Sequence, residues 1–332
     1  MGRSLAMWLA ALAPCGATPL IDSAGETCAW MSFIRATTPY TQCLRRKPDR
    51  ASDTVRKSGA SAECEALLKV WQAELQTVSE DDAVGSVFVD AGANIGMCSL
   101  LFAAHGIATV AIEPFRSNLF YLTSSVRKNA KIAEHLTLHA YVALTNETSW
   151  NKNVTWHVPS AQEKEQAAPP AAGPPRPGRG RPAPRAPPAR VPRGKPVAVS
   201  HVATDFSVMP RRLDDVLSPP PRILLMKVGF YDPKLFLGAE KLFAARAIRT
   251  IAFEIGHNHM VRSGDSFVAI LQLLISHGFA VTTAGRAATP VTPDSWGDFL
   301  RRARAQNGAQ PRYDFFARLA IEPDAVDGAV WE

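Results

Sequence analysis

The stretch VFVDAGANIG at residues 87–96, followed by VAIEP at 110–114, decides the fold. Val87, Phe88 and Val89 form an apolar run of buried-strand type closed by Asp90. Gly92 and Gly96 flank a turn in which backbone must pass close to a ligand. MCSLLFAAHG, stopped by Gly106, reads as the helix that follows. A second apolar run ends in Glu113, about 20 residues beyond Gly92, where doubly wound folds set a carboxylate against ribose hydroxyls. The sequence therefore predicts the nucleotide-holding half of a doubly wound, mostly parallel α/β sheet, with Asp90 and Glu113 facing one ligand.

Strand and helix keep alternating downstream. A helix is expected near residues 117–131 and a strand near 136–144. Beyond residue 212 come an LDDVL turn, the strand ILLMKV at 223–228, the helix KLFLGAEKLFAARA and the strand TIAFEIG at 250–256. The helix SFVAILQLLISHG at 266–278, the strand FAVTTA and a last strand near 313–320 complete the series. Ligands in such sheets sit beyond the carboxyl ends of the strands, so Asp90, Glu113, Lys227, Glu254 and His257 should gather around one crevice. Upstream, residues 18–84 read as a helical cap, with ECEALLKVWQAELQTV at 63–78 amphipathic because Leu67, Leu68, Trp71 and Leu75 share a face. The main domain is expected at residues 85–320, interrupted by a disordered insertion at 160–200, with a tail at 321–332.

At 332 residues and 46% hydrophobic content the chain can bury a full core, and it shows no internal period. The formal charge of +7 has a local source: the tract at residues 167–199 carries seven arginines and lysines, no acid, and eleven of the 26 prolines. A basic groove on the fold is therefore not indicated, and nucleic acid is not an expected partner. The tract cannot build a packed core, since proline removes backbone donors and few side chains there can be buried. It reads as a semi-extended loop: a tolerated surface insertion, a tether, or translated sequence from a misplaced gene boundary.

The first residues, MGRSLAMWLAALAPCGA, have the layout of a secretory signal at 1–17. Arg3 precedes a short apolar stretch, and the small residues around Gly16 suit a cleavage that leaves Thr18 first. Ten apolar residues are too few to cross a bilayer. Asn146-Glu-Thr148 and Asn153-Val-Thr155 are acceptors for N-glycosylation. In an oxidising lumen a Cys43–Cys64 bridge is plausible, with Cys98 read as a small buried residue.

The spacing of the glycines separates two cofactor classes. A dinucleotide fingerprint needs G-x-G-x-x-G, and here Asn94 stands where the second glycine belongs, which counts against an NAD-dependent oxidoreductase. The form D-x-G-x-N-x-G resembles motif I of class I S-adenosylmethionine methyltransferases, with Asp90, Gly92, Asn94, Gly96 and Glu113 as cofactor-binding residues. The order of FVDAGANIGMCSLLFA, VAIEP, RRLDDVL, ILLMK, LFLGAEKLF, IAFEIG and YDFFA resembles the FkbM family of these enzymes over roughly residues 85–320. That resemblance implies methyl transfer to an oxygen nucleophile, such as a glycan or small-molecule hydroxyl.

The chain departs from the family after Lys227. Where the family carries an aspartate before a glycine, this sequence reads Lys227-Val228-Gly229-Phe230-Tyr231-Asp232-Pro233, shorter by about two residues and without the strand-end acid. Asp232 suits a helix N-cap ahead of Pro233. The expected catalytic set is Lys227 stabilising negative charge on the acceptor oxygen, His257 as base and Glu254 orienting it. His257 and His259 alone do not make a metal site. A non-catalytic ligand-binding member of the fold is the other reading that the missing acid leaves open.

Overall fold

A computed structural model of the chain describes residues 27–33, 36–46, 49–58, 61–140, 142–144, 154–158, 204–229, 234–256, 267–284, 288–299, 301 and 312–320. The expected signal at 1–17, both sequon asparagines, the proline-rich tract, Asp232, Pro233, His257, His259 and the tail at 321–332 lie outside the described residues. In chain order the elements are β1 (Cys28–Phe33), β2 (Tyr40–Arg45), α1 (Arg50–Ser58), α2 (Ala62–Leu75), α3 (Glu80–Ala83), β3 (Val87–Ala91), α4 (Met97–Ala104), β4 (Thr109–Glu113), α5 (Arg116–Lys128), α6 (Ala130–Ala133), β5 (Leu136–Ala140), β6 (Val142–Leu144), β7 (Val154–Val158) and β8 (Thr204–Arg211). They continue with α7 (Leu213–Val216), β9 (Ile223–Val228), α8 (Lys234–Leu237), α9 (Glu240–Ala244), β10 (Ile248–Gly256), α10 (Phe267–Ser276), β11 (Phe279–Thr283) and β12 (Arg312–Leu319).

The chain forms two compact units, Met1–Asn153 with Val208–Glu332, and Val154–Ser207. The smaller holds β7 and the opening residues of β8. The larger is built on a seven-stranded sheet of order β11-β12-β10-β9-β3-β4-β5. The run from β10 to β5 is parallel, and β12 is antiparallel to both β10 and β11. After β3 the chain builds outward through β4 and β5, then crosses back to lay β9 on the other side of β3. The switch point, where a doubly wound sheet opens a crevice, therefore falls between β3 and β9.

Both faces of the central strands are covered, which is why β3 and β4 read as continuous apolar runs and not as alternating ones. On one face Val87, Val89 and Ile112 join Leu213, Val216, Leu242 and Phe243 in the largest core cluster. On the other, Phe88 and Leu225 meet Leu67, Trp71 and Phe102 from α2 and α4. Phe88 stacks on Phe102 with ring centroids 3.7 Å apart, and Trp71 meets Phe102 edge-on at 6.0 Å. Each such fully buried ring contributes about 1.5–3 kcal/mol through burial alone.

Four expectations change. The cap is not wholly helical, because β1 and β2 pair as an antiparallel hairpin. The outer edge of β2 is satisfied by α5 and its end: the Thr41 N–H donates to Asn129 Oδ1 at 2.8 Å, Asn129 Nδ2 donates back to the Thr41 carbonyl at 2.6 Å, and the Cys43 N–H donates to Ser125 Oγ at 2.9 Å. The cysteines pair as Cys28–Cys43 and Cys64–Cys98, not as Cys43–Cys64. Trp30 lies opposite Cys43, so Cys28 is its diagonal neighbour across the hairpin, while Cys64 and Cys98 join α2 to α4.

The expected helix KLFLGAEKLFAARA is broken into α8 and α9. Buried Asp214 accepts from the N–H groups of Lys241 and Leu242, both at 3.1 Å, and so caps α9 separately. The strand near 136–144 is likewise split into β5 and β6. Among the described residues no helix is long and apolar enough to cross a membrane.

Candidate methyl-donor site

The turn after β3 is shaped by residues that accept left-handed backbone. Gly92, Asn94 and Gly96 have φ of 85°, 54° and 85°, and asparagine is one of the few non-glycine residues that tolerates this region. At Gly96 a Cβ would push into the Leu122 side chain, and the positive φ strains any residue other than glycine there. The N–H groups of Gly92 and Ala93 both donate to the Ile112 carbonyl, at 2.9 and 3.1 Å. The turn is thereby folded over the end of β4, and the Asn94 N–H reaches Glu113 Oε2 at 2.7 Å.

Strand register places four charged residues on one face at the carboxyl end of the sheet. Asp90 lies opposite Ala111 on β4 and Lys227 on β9, and Lys227 lies opposite Ala252 on β10. Since side chains alternate along a strand, Glu113, Asp90, Lys227 and Glu254 form a row across four adjacent strands. The order of charge is minus, minus, plus, minus.

Asp90 is fully buried. Its Oδ2 accepts from the Ser99 N–H at 3.1 Å and the Ser99 hydroxyl at 2.6 Å, and its Oδ1 faces Lys227 Nζ at 3.2 Å. Burial pulls the Lys227 pKa down, but the charges of Asp90, Glu63 and Glu254 and the hydrogen bond to Asp90 together outweigh it. The net shift is upward, so the ammonium keeps its proton.

Glu113 is 2% exposed. Besides Asn94, the Phe115 N–H and Asn118 Nδ2 donate to its Oε1, at 2.8 and 3.1 Å. Burial pushes its pKa up to about 7, and the three hydrogen bonds, which favour the carboxylate, offset this only in part; the nearby charge of Asp90 adds to the rise.

Gly229 closes the crevice from the β9 side. Its N–H donates to the Ala91 carbonyl at 2.9 Å, and a Cβ there would lie 3.3 Å from Lys227 Nζ and 3.6 Å from the Gly92 carbonyl oxygen. Backbone thus approaches backbone across the switch point, and glycine leaves room between the two strand ends.

The structure brings Asp90, Gly92, Asn94, Gly96, Glu113, Lys227 and Glu254 to the carboxyl end of the sheet; His257 lies outside the described residues. Ser99 and Asn118 were not anticipated. Ser99 is a polar residue in the otherwise apolar helix MCSLLFAA, and Asn118 lies in the first turn of α5, so both carried a readable signal. Arg45, whose guanidinium donates to Asn118 Oδ1, carried none, because nothing in the sequence brings the hairpin to α5.

The strand order, the antiparallel strand beside the last, and the glycine turn from β3 into α4 define a class I methyltransferase-like, Rossmann-type fold. No family model matches the chain, and no curated protein matches it. Among solved structures it is similar to a precorrin-6y C5,15-methyltransferase from Geobacter metallireducens, with 11% identity, 76% of this chain and 87% of the other covered, and a TM-score of 0.31. It is also similar to a human methyltransferase 10 domain containing protein, with 10% identity, 78% and 82% covered, and a TM-score of 0.35. The fold class follows from the chain's own strand order.

Proposed function

We propose that the chain is an S-adenosylmethionine-dependent O-methyltransferase of the FkbM type, acting on a hydroxyl of a glycan or similar small molecule in the lumen of the secretory pathway. The observation that carries the reading is Glu113: a buried carboxylate beside a glycine turn that, among the described residues, is held by neutral donors, with Asn94 alone donating to Oε2. A ribose diol supplies the donors such a group lacks. Gly229 keeps a side chain out of the space beside Lys227 Nζ and the Gly92 carbonyl, where backbone lines the crevice.

When bound, the methyl donor supplies an electrophilic methyl on a sulfonium. The chain's own contribution is then in-line positioning and exclusion of water. Glu113 orients the ribose, the turn at residues 92–96 sets the depth of the nucleoside, and the Asp90–Lys227 pair holds β3 and β9 in register. Lys227, Glu254 and His257 are assigned to the acceptor side, with His257 taking the hydroxyl proton.

Lumenal residence is supported by the cysteines. The two disulfides use Cys28, Cys43, Cys64 and Cys98, and the fifth cysteine, Cys15, lies within the segment whose removal the signal layout predicts. Four paired thiols then remain.

A second reading, a ligand-binding member of the fold without turnover, is favoured by one observation. The ammonium of Lys227 is engaged by Asp90, and Val228-Gly229 stands where the family carries its acid. Calorimetry of the full chain with S-adenosylmethionine should give saturable heat; none beyond dilution at millimolar ligand removes both readings. Binding without transfer of labelled methyl to a panel of hydroxylated glycans would select the second.

A further inference from the structure

We propose that Arg45, on the N-terminal hairpin, is a positioning residue for the nucleoside end of the site: it holds the Asn118 amide in the one orientation that presents Nδ2 to Glu113. The inference rests on the methyl-donor reading only for its ligand; the geometry stands without it.

An asparagine amide has two nearly isosteric ends, and which end meets which neighbour is decided by those neighbours' chemistry. Arginine offers five N–H donors and no acceptor, so only Oδ1 of Asn118 can face the Arg45 Nη2 that contacts it. Nδ2 is then turned toward Glu113 Oε1, 3.1 Å away. Were the amide reversed, its oxygen would face the oxygen of the ionised carboxylate, two acceptors with no proton between them. Arg45 thus acts on Glu113 through Asn118, and it favours the donating orientation whether or not the carboxyl is ionised.

Arg45 is itself held from several sides. Its guanidinium lies over the Tyr121 ring, 4.8 Å from the centroid, and faces Asp49 at 3.9 Å. Its backbone N–H donates to Ser52 Oγ at 3.1 Å. Two residues earlier Cys43 is tied to Cys28, which closes the hairpin covalently. The same strand also touches the glycine turn, since buried Gln42 donates through Nε2 to the Ile95 carbonyl at 3.1 Å. Thus β2 reaches both walls of the nucleoside end, at Ile95 and at Asn118. A segment that sequence order sets far from the crevice is part of its support.

The test uses the full chain, produced with both disulfides formed, and three variants. Arg45→Met removes the donors at similar length. Arg45→Gln can serve either orientation of the amide and is the milder change should the first not fold. Arg45→Lys keeps a donor-only cation. The first readout is the titration midpoint of the Glu113 carboxyl, followed by carbon NMR of labelled glutamate; the second is adenosine affinity by calorimetry across pH.

In Arg45→Met and Arg45→Gln the midpoint should rise by about half a unit, because a hydrogen bond to the charged form has been loosened. Adenosine binding should then weaken about twofold near pH 7 and be unchanged near pH 9, where the carboxylate is ionised in every variant. Arg45→Lys should restore both. An unmoved midpoint in a folded Met or Gln variant overturns the assignment, as does an affinity loss of equal size at every pH. A midpoint that shifts in a chain binding no adenosine at all supports the role of Arg45 and overturns the methyl-donor reading instead.

Discussion

Two carboxylates one strand apart, Asp90 on β3 and Glu113 on β4, are buried to the same degree yet are compensated in different ways. Asp90 has a cation on one oxygen and both donors of Ser99 on the other. Among the described residues Glu113 has three hydrogen bonds and no cation, and burial pushes its pKa up to about 7. Burial alone therefore does not define a site. A carboxylate matched by a buried ammonium is a tie between strands. One matched only by neutral amides stays near its titration point, and its ionisation can be driven by whatever donors arrive.

Cutting the tie should have the largest effect. Lys227→Met leaves Asp90 buried without its countercharge, and removing one partner of a buried pair costs about 3–5 kcal/mol. Urea unfolding of the variant should show that loss, and Asp90→Asn in the same chain should recover much of it, since the double variant has no stranded charge. A loss below about 1 kcal/mol would mean that Ser99 alone satisfies Asp90, and the contrast between the two ends would fall.

Next in size is the pH dependence set by Glu113. Its folded pKa of about 7 lies above the ordinary glutamate value of 4.5, so between those values the folded chain keeps a proton that the unfolded chain has released. The stability this gives is fully present below pH 4.5 and is lost as pH rises through 7, by roughly 3 kcal/mol at most. Glu113→Gln should remove that part of the slope from thermal unfolding measured across the window. Adenosine should act in the opposite sense, binding the ionised form and therefore more tightly as pH rises toward 8. A parent chain whose stability is flat across the window would show that Glu113 is not held near neutrality.

Much of this contrast was readable in one dimension. Asp90, Gly92, Asn94, Gly96 and Glu113 follow from a strand–turn–helix–strand pattern in which each residue type has a local reason, so position along the chain fixes position in space. Lys227 and Glu254 were legible as the last polar residues of apolar strands. What was not legible depends on contacts between distant segments. The partner of Asp90 is 137 residues away, and register across the switch point cannot be read from either strand alone. The hairpin was missed because two short strands with no long apolar run carry little periodicity, and the disulfides because spacing does not determine pairing. The break between α8 and α9 comes from the carboxylate of Asp214, which lies before β9 in sequence.

The smallest effect tests the contrast from within, through the neutral donors at each end. Ser99→Ala removes the 2.6 Å hydroxyl bond to Asp90 Oδ2 and leaves the backbone N–H at 3.1 Å in place, so the loss should be about 1.5–2 kcal/mol, that of a hydrogen bond to a charged acceptor. Because Asp90 is taken up by Lys227 and Ser99, the cost should appear in stability and hardly in adenosine affinity. Asn118→Ala removes the comparable donor from Glu113 and should reverse that ranking, weakening adenosine more than it weakens the fold. Denaturant midpoints and calorimetric affinities measured on the same two preparations decide it. Equal losses of stability and affinity in both variants would mean that the two carboxylates form one electrostatic unit, and that the division between a strand tie and a ligand-responsive acid does not hold.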